Sequence, residues 1–238
     1  MSGNLKKDTT QYRDNLKKKA SAHPKHPIHH NVAMQAHHLI SEKGVSLVDK
    51  IFQNKLIEFD YNINVLDNLV FIPSTLQGAC HLGVQPHRGN HGAFLTKAMS
   101  LLDPDNDDRP HPEPYHDMVK DLVTKVAQGL EFKCVKDHPH FKALLKMEMN
   151  QISKTILKRI QNNPRSAQLT DIAVNFVPDM PTGCCGVDSV PAHRGRTVQV
   201  AAQCPVGRDH TSKQGTKQTA EKITFPKKST PYKLETGN

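Results

Sequence analysis

The chain contains no tryptophan, and aromatic residues make up only 5% of its 238 positions. Hydrophobic residues make up 36%, and the mean hydropathy is -0.59, which is low for a single uniform core of this length. No apolar run approaches the length of a membrane span, and the first residues lack the apolar stretch of a secretory signal. We therefore expect a small folded domain with polar extensions, made in the cytoplasm and without a membrane partner.

The cysteines exclude a framework in which all of them are paired within one chain, because there are five. Such usage fits a reducing compartment best. Cys184, Cys185 and Cys204 lie near His193 and His210 in the sequence and suggest a possible structural zinc. Adjacent cysteines do not match the spacing of a zinc knuckle, so the pattern argues against that site.

Basic residues outnumber acidic ones by 32 to 23, and the formal net charge at pH 7 is +9. A surplus of this sign attracts a polyanion such as nucleic acid. Much of it lies at the two ends of the chain. Residues 1–31 are rich in lysine, histidine and proline, and we expect a solvated basic arm there. Residues 205–238 are rich in lysine and threonine, which is typical of a flexible basic tail.

The middle of the chain carries the patterns of short secondary-structure elements. An extended segment is predicted over residues 32–40, and apolar spacing predicts one helix over 45–56. A short apolar strand is predicted over 69–72. The glycine-containing stretch 74–86 is typical of a loop, and a helix is predicted to begin at His87.

A run of aspartates and prolines over residues 103–110 predicts a linker. Two helices follow it, each with an apolar stripe that is typical of a face packed on a core. The first stripe consists of Met118, Leu122, Val126 and Leu130, and the second of Phe141, Leu145, Met149, Ile152, Ile156 and Ile160. These features divide the chain into a basic arm (1–31), a core (32–102), a helical extension packed on the core (103–163) and an irregular basic C-terminal region (164–238).

The histidines of the middle region have the spacing of a metal site. His87 and His91 are four residues apart, so on a helix they lie on one face and can bind one cation. An imidazole of the His37-His38 pair would complete three protein ligands and leave one position open. Neighbouring residues of an extended segment point to opposite sides. One histidine of the pair therefore faces the metal, and the other faces an attacking water, where it can act as a general base.

Three sequence blocks occur in a characteristic order. They are Ala36-His37-His38-Leu39-Ile40, then Tyr61-Asn62-Ile63-Asn64 with Asn68-Leu69-Val70-Phe71-Ile72-Pro73, then His87-x-Gly89-x-His91. Over residues 32–102 the chain resembles the AHH family of the HNH/endonuclease VII superfamily, many members of which are toxin domains of bacterial secreted effectors. The resemblance implies an α+β fold with a small ββα-metal core, a predominantly helical cover and flexible basic termini.

The resemblance also assigns roles to individual residues. It implies that His37, His87 and His91 bind one divalent cation, which zinc, nickel, manganese or magnesium could each supply. It makes His38 the general base and Asn68 the residue that braces the loop holding that base. The other histidines considered are expected at the surface or in loops: His29, His30, His81, His111, His116, His138 and His140.

The predicted function is a metal-dependent endonuclease that prefers DNA to RNA and has little sequence specificity. Arg88, between the two helix histidines, could contact a substrate phosphate. The family association implies a toxin role, with a cognate immunity protein, a secretion carrier and delivery into a target cell by a dedicated secretion system.

Two other functions stay open. One is a non-catalytic nucleic-acid-binding module that a metal stabilises, although such a site needs no fourth imidazole facing away from the metal. The other is an adaptor whose basic ends dock on a carrier. A zinc peptidase is disfavoured, because Arg88, Gly89 and Asn90 stand between the two histidines and supply no glutamate base.

Overall fold

A computed structural model describes residues 3–8, 11–87, 113–131, 140–169 and 222–238. Within these ranges the chain forms helices and a two-stranded antiparallel sheet, which agrees with the expected α+β class. No described helix is both long enough and apolar enough to cross a membrane. The elements in chain order are α1 (Gln11–Ser21), a 3₁₀ turn (Pro27–His30), β1 (Met34–His38), α2 (Glu42–Ser46), α3 (Lys50–Glu58), a 3₁₀ turn (Leu66–Asn68), β2 (Leu69–Pro73), α4 (Leu76–Leu82), α5 (Glu113–Glu131), α6 (Phe141–Asn162) and a 3₁₀ turn (Pro164–Ser166).

The pair of strands places the two histidines of the first block on different sides of the sheet. β1 and β2 are antiparallel, with His37 opposite Val70 and His38 opposite Leu69. Because side chains alternate along a strand, one face carries His37 and Val70 and the other carries His38 and Leu69. Val70 belongs to the main hydrophobic core, whereas Leu69 and Phe71 belong to a second, smaller core.

Helix α1 supplies the smaller core, so the N-terminal region is not the solvated arm that its lysines suggested. Tyr12, Leu16 and Ala20 recur every four residues along α1 and are buried against Leu69 and Phe71. Three apolar residues at this spacing suffice, because the back of the sheet provides the surface on which they pack. The charged residues of α1 lie on its exposed face.

Residues 222–238, here called the C-terminal segment, are irregular as expected but are packed and not free. Phe225 and Leu234 are buried in the main core. Thr236 forms an antiparallel bridge with Val70 of β2. The lysine-rich composition concealed this packing, since a few isolated apolar residues anchor the segment.

The helix predicted over residues 45–56 is interrupted. α2 ends at Ser46, and α3 begins at Lys50, where the carboxylate of Asp49 accepts a hydrogen bond from Ile51 N at 2.8 Å. This capping bond starts a second helix. Ile51 is 69% exposed, so it does not belong to the buried stripe that the sequence suggested.

Helix α4 occupies most of the stretch that was predicted as a loop. Thr75 Oγ1 accepts a hydrogen bond from Gly78 N at 2.9 Å, and the helix ends at Gly83 with a φ of 68°. Gly83 is therefore a helix C-cap, for which glycine is the favoured residue. His81, expected in a loop, is half-buried in α4, with its Nε2 2.6 Å from Phe225 O.

Cys80 of α4 is disulfide-bonded, which differs from the reduced state that the cysteine count favoured. An odd count excludes the pairing of every cysteine, but it does not exclude a single bridge. The other four cysteines lie outside the described residues.

Helices α5 and α6 cover the main-core face of the sheet. α6 buries the whole stripe predicted for it. In α5 the buried row is displaced by one residue from the prediction, because two adjacent rows of this helix are apolar. The buried row is Tyr115, Val119, Val123 and Ala127, whereas the predicted Met118, Leu122 and Val126 are partly buried; Leu130, the last residue of the predicted stripe, is buried as expected.

Candidate active site

His37 and His87, two of the three predicted metal ligands, meet on the main-core face of the sheet. His37 Nδ1 lies 3.2 Å from His87 Nε2, and each residue is 1% exposed. His87 is held at the end of β2, because its backbone N donates to Pro73 O at 2.8 Å. Two nitrogens that bind one zinc-sized ion tetrahedrally, each at about 2.1 Å, lie about 3.4 Å apart. The separation of these two nitrogens therefore fits a shared cation.

Tyr115 of α5 determines which nitrogen of His37 carries the ring proton. The Tyr115 hydroxyl donates to Leu39 O at 2.7 Å, so its oxygen accepts from His37 Nε2, at 2.8 Å. In the neutral ring, His37 Nδ1 then presents the lone pair that a cation needs. Burial raises the pKa of Tyr115 well above its ordinary value, which keeps the hydroxyl protonated. Tyr115 was missed from the sequence, where it lay beside the expected stripe.

The third predicted ligand, His91, and the phosphate-contact candidate Arg88 lie outside the described residues, so their roles stay predictions. Within the described part of the chain, no group of three His, Cys, Asp or Glu side chains is arranged to hold a metal ion. The structural support for a metal site therefore comes from the His37–His87 pair.

The predicted general base, His38, lies on the opposite face of the sheet, beneath α1. Its ring centroid is 4.5 Å from that of Tyr12, and the residue is 5% exposed. His38 Nε2 donates to Asn64 Oδ1 at 3.0 Å, since a carbonyl oxygen can only accept. In the neutral ring, His38 Nδ1 therefore holds the lone pair that can take a proton.

Asn64, to which the family resemblance assigned no role, holds the His38 ring. Its amide nitrogen donates to Lys6 O at 2.9 Å and to Asn62 Oδ1 at 3.1 Å. These two bonds fix the orientation of the amide and present its oxygen to His38. Asp8 N donates to the same oxygen at 3.3 Å. The N-terminal segment thus takes part in positioning the candidate base.

The His38 ring is uncharged at neutral pH. Burial lowers the pKa of His38 to about 4, and the hydrogen bond with Asn64 opposes that shift. Lys7 lowers the pKa further, whereas Asp8 and Glu42 raise it. A neutral imidazole with a free lone pair is the form that a general base requires.

Asn68 ties together the backbone just beyond His38. Its Oδ1 accepts from Ile40 N at 2.7 Å, and its Nδ2 donates to Ile40 O at 3.1 Å and to Ile63 O at 2.9 Å. Ser153 Oγ of α6 donates to the same Oδ1 at 3.0 Å. This arrangement is the kind that a bracing role requires. The sequence signal for the fourth contact was Ser153, a polar residue within the apolar face of α6.

His116, which was expected at the surface, is buried beside Tyr115. The hydroxyl of Ser41 accepts from Gly44 N at 3.1 Å and lies 3.0 Å from His116 Nδ1, to which its hydrogen can be donated. This contact attaches α5 to the start of α2. It therefore helps to hold Tyr115 against His37.

A family model matches residues 15–168, which is more than half of the chain, and describes a nuclease family of the HNH/ENDO VII superfamily with conserved AHH. The matched range includes the Ala36-His37-His38 block and the brace Asn68. It also extends over α5 and α6, beyond the range 32–102 that the motifs indicated. No curated protein and no solved structure matches the chain. The chain belongs to the AHH family of nucleases in the HNH/endonuclease VII superfamily.

Proposed function

We propose that this nuclease is a divalent-metal-dependent endonuclease that hydrolyses phosphodiester bonds in DNA with little sequence preference. The observation that carries the proposal is the 3.2 Å separation of His37 Nδ1 and His87 Nε2, with the other His37 nitrogen bonded to Tyr115. His91 would add the third imidazole. Three imidazoles suit zinc, nickel or manganese better than magnesium.

In the proposed reaction, His38 accepts a proton from water through Nδ1, and the oxygen of that water attacks the phosphorus atom. Asn64 holds the ring by its other nitrogen, and Asn68 fixes the backbone that carries it. A bound divalent cation would stabilise negative charge on the phosphate and on the leaving 3′ oxygen. Arg88 would contact a substrate phosphate, and such contacts position a strand without reading its sequence.

The covered position of His38 adds one requirement to this proposal. Tyr12 packs on the His38 ring and His38 is 5% exposed, so little room remains beside the ring for a substrate phosphate. We propose that substrate binding displaces the start of α1. The supporting observation is that Asp8 connects this end of the helix with the residue that holds the His38 ring: Tyr12 N donates to Asp8 Oδ1 at 3.1 Å, and Asp8 N donates to Asn64 Oδ1 at 3.3 Å.

Plasmid cleavage by purified protein tests the proposal. Wild type, His38→Ala and His29→Ala would each be assayed with EDTA, Mg²⁺, Mn²⁺, Zn²⁺ or Ni²⁺, beside a parallel RNA substrate. We expect wild type to cut only with metal and His38→Ala to lose about 10²- to 10⁴-fold in rate, the usual value of a general base. His29→Ala is the matched control, because His29 belongs to a similar histidine pair but is exposed.

Each part of the proposal has its own contrary result. Full activity of His38→Ala would refute the role of His38 as general base. Cleavage in EDTA would show that no divalent metal is required. Faster cleavage of RNA than of DNA would show that RNA is the preferred substrate. Binding of DNA and RNA without cleavage in any metal would favour the non-catalytic, metal-stabilised binding module.

We further propose that the nuclease acts as an antibacterial toxin. It would be made in the cytoplasm, restrained by a cognate immunity protein, and delivered into a target cell by a secretion system and carrier. The support for this role is the family resemblance alone. We expect expression of wild type to arrest growth, a neighbouring gene's product to relieve the arrest, and His38→Ala to be harmless. Harmless expression of a chain that is active in vitro would contradict the proposal.

A further inference from the structure

A groove of about 910 Å³ lies on the small-core side of the sheet, away from the His37–His87 pair. Phe71 of β2, a member of the small core, is one of its lining residues. α1 and the turn after it line one part of the groove, and the C-terminal segment lines another. We call this feature the basic groove. None of the predicted metal ligands that the structure describes lines it.

The walls of the basic groove are aromatic. Among the rings that line it are those of His26, His30, Phe71, His81, Phe225 and Tyr232. Neighbouring rings meet edge to face, with centroids 5.7 Å apart for His26 and Phe71, and 5.7 Å apart for Phe225 and Tyr232. Burial lowers the pKa of His26 to about 4, and burial also lowers the pKa of His81. These two imidazoles are therefore uncharged rings at neutral pH.

The rim of the basic groove is positively charged. Four lysines line it, contributed by both ends of the chain: Lys19, Lys25, Lys228 and Lys233. Among the described lining residues the acidic side chain is Glu235, whose Oε1 lies 4.0 Å from Lys233 Nζ. Lys25 and Lys228 are exposed, one on each side of the groove.

Uncharged rings beside lysines are the combination that binds single-stranded nucleic acid, because bases stack on the rings and phosphates contact the lysines. A duplex keeps its base faces stacked and hidden, so the rings would add little to duplex binding. An apolar peptide would not need the lysines, and an acidic peptide would not need the rings. We propose that the basic groove binds a single-stranded segment of nucleic acid.

Helix α1 connects this groove with the candidate base. Tyr12 packs on His38, and Ala20, two turns further along α1, lines the groove. The two positions are about 12 Å apart along the helix. A strand in the groove therefore lies on the same side of the sheet as His38. The inference rests on the proposed function in one respect, namely that the bound strand is part of the nuclease substrate.

The test is the affinity of the full chain for a labelled oligothymidylate, measured by fluorescence anisotropy in EDTA so that no cleavage occurs. The groove variant is Lys25→Glu with Lys228→Glu. The control is Lys154→Glu with Lys158→Glu, two exposed lysines of α6 that do not line the groove and that change the net charge equally. We expect the groove variant to bind at least about tenfold more weakly than the control, with a salt dependence reduced by about 1.4 for two lost phosphate contacts.

A second variant, Tyr232→Leu, tests the rings. It keeps the backbone hydrogen bond from Tyr232 N to Leu82 O, which is 2.7 Å long. We expect about tenfold weaker binding of the single strand and unchanged binding of a blunt duplex, since one stacking contact is lost. Phe59→Leu is the control, because Phe59 packs on Phe141 and does not line the groove. Circular dichroism would verify that each variant is folded.

Four results would overturn the inference. Equal loss of affinity in both lysine pairs would show a simple effect of net charge, and full affinity of folded Tyr232→Leu would show that the rings do not bind bases. Competition by polyglutamate as strong as that by oligothymidylate would indicate an acidic peptide as the ligand. A protein that still cleaves nucleic acid but shows no preference for binding a single strand would refute the groove proposal and leave the nuclease mechanism intact. A protein that binds a single strand preferentially but cleaves nothing in any metal would refute the nuclease mechanism and leave the groove proposal intact.

Discussion

The two faces of the sheet hold sites of opposite construction. On the main-core face, His37 and His87 are buried, and the contact with Tyr115 fixes the proton of His37. On the small-core face, the basic groove is open and its lysines are exposed. The proposed metal binding on the first face would therefore depend on a few fixed hydrogen bonds, whereas the proposed strand binding on the second would be spread over many contacts. A single substitution can therefore abolish binding on the first face but should only weaken binding on the second.

The largest effect is expected for His37→Ala. This change removes a buried nitrogen of the proposed metal site, so cleavage should fall to the level found in EDTA and the heat of Zn²⁺ binding should disappear. His38→Ala is the control, because it should keep Zn²⁺ binding while losing cleavage. Oligothymidylate binding in EDTA should be unchanged in both variants. Zn²⁺ affinity equal to that of wild type in His37→Ala would contradict the assigned ligand.

The next effect concerns the brace. Asn68→Ala leaves Ile40 N, Ile40 O and Ile63 O without their side-chain partner, so we expect the free energy of unfolding to fall by about 3 kcal/mol. Ser153→Ala removes only one hydrogen bond to Asn68 and should cost about 1 kcal/mol. Urea denaturation measures both values. Equal losses in the two variants would show that the backbone contacts of Asn68 are not the source of its effect.

A smaller effect is expected when the His37 ring is kept but its tautomer is no longer fixed. Tyr115→Phe keeps the ring packing but no longer holds the proton on His37 Nε2, so Zn²⁺ affinity should fall by about 10- to 100-fold. Calorimetric titration with Zn²⁺ measures the change. Tyr232→Phe is the matched control on the groove side and should bind Zn²⁺ as wild type does. An unchanged Zn²⁺ affinity in Tyr115→Phe would show that this hydrogen bond does not prepare the ligand.

The smallest effect is a pH dependence of the free energy of unfolding, which we expect from His26 in the basic groove. His26 Nδ1 accepts a hydrogen bond from Ile28 N at 3.2 Å, and burial lowers the pKa of His26 from 6.5 to about 4. Between these two values the unfolded chain binds more protons, so this contribution to stability is complete above pH 6.5 and decreases as the pH falls towards 4. We expect the loss to be about 1 kcal/mol, because the ring is partly exposed.

Urea denaturation at pH 7 and pH 5 measures this dependence. His26→Asn keeps a side-chain acceptor for Ile28 N but does not titrate, so the variant should lose less stability than wild type between the two pH values. The same slope in both proteins would assign the effect to other groups. His29→Asn is the comparison variant and should reduce the slope less than His26→Asn does, because His29 contributes only part of the shift in the pKa of His26.

Local patterns in the sequence were enough to predict the parts of the site that lie on the two strands. The predictions included an extended segment over residues 32–40, which contains β1, and an apolar strand at β2, and alternation along β1 placed His37 and His38 on opposite faces. The stripe of α6 was also predicted correctly. Tyr115 could not be found in this way, because it contacts Leu39 from 76 positions away. Nothing in the periodicity of α5 distinguishes the row that reaches the site from the adjacent apolar row.

The two ends of the chain were misjudged for a related reason. Composition averages over a window, and lysine dominates both windows. The residues that fix these ends are few and widely spaced, such as Tyr12 and Leu16 in α1 and Leu234 in the C-terminal segment. Their partners are distant, as in the hydrogen bond from Asn31 Nδ2 to Lys222 O across 191 positions. Only the fold brings such residues together.

The contact between the C-terminal segment and β2 also bears on solubility. Thr236 bridges Val70, and Gly237 N donates to Leu69 O at 2.9 Å, so the segment runs along the side of β2 that β1 leaves open. β2 is apolar throughout, and an open edge on such a strand can pair with the same strand of another molecule. By occupying that edge, the C-terminal segment leaves these backbone groups of β2 unavailable for such pairing.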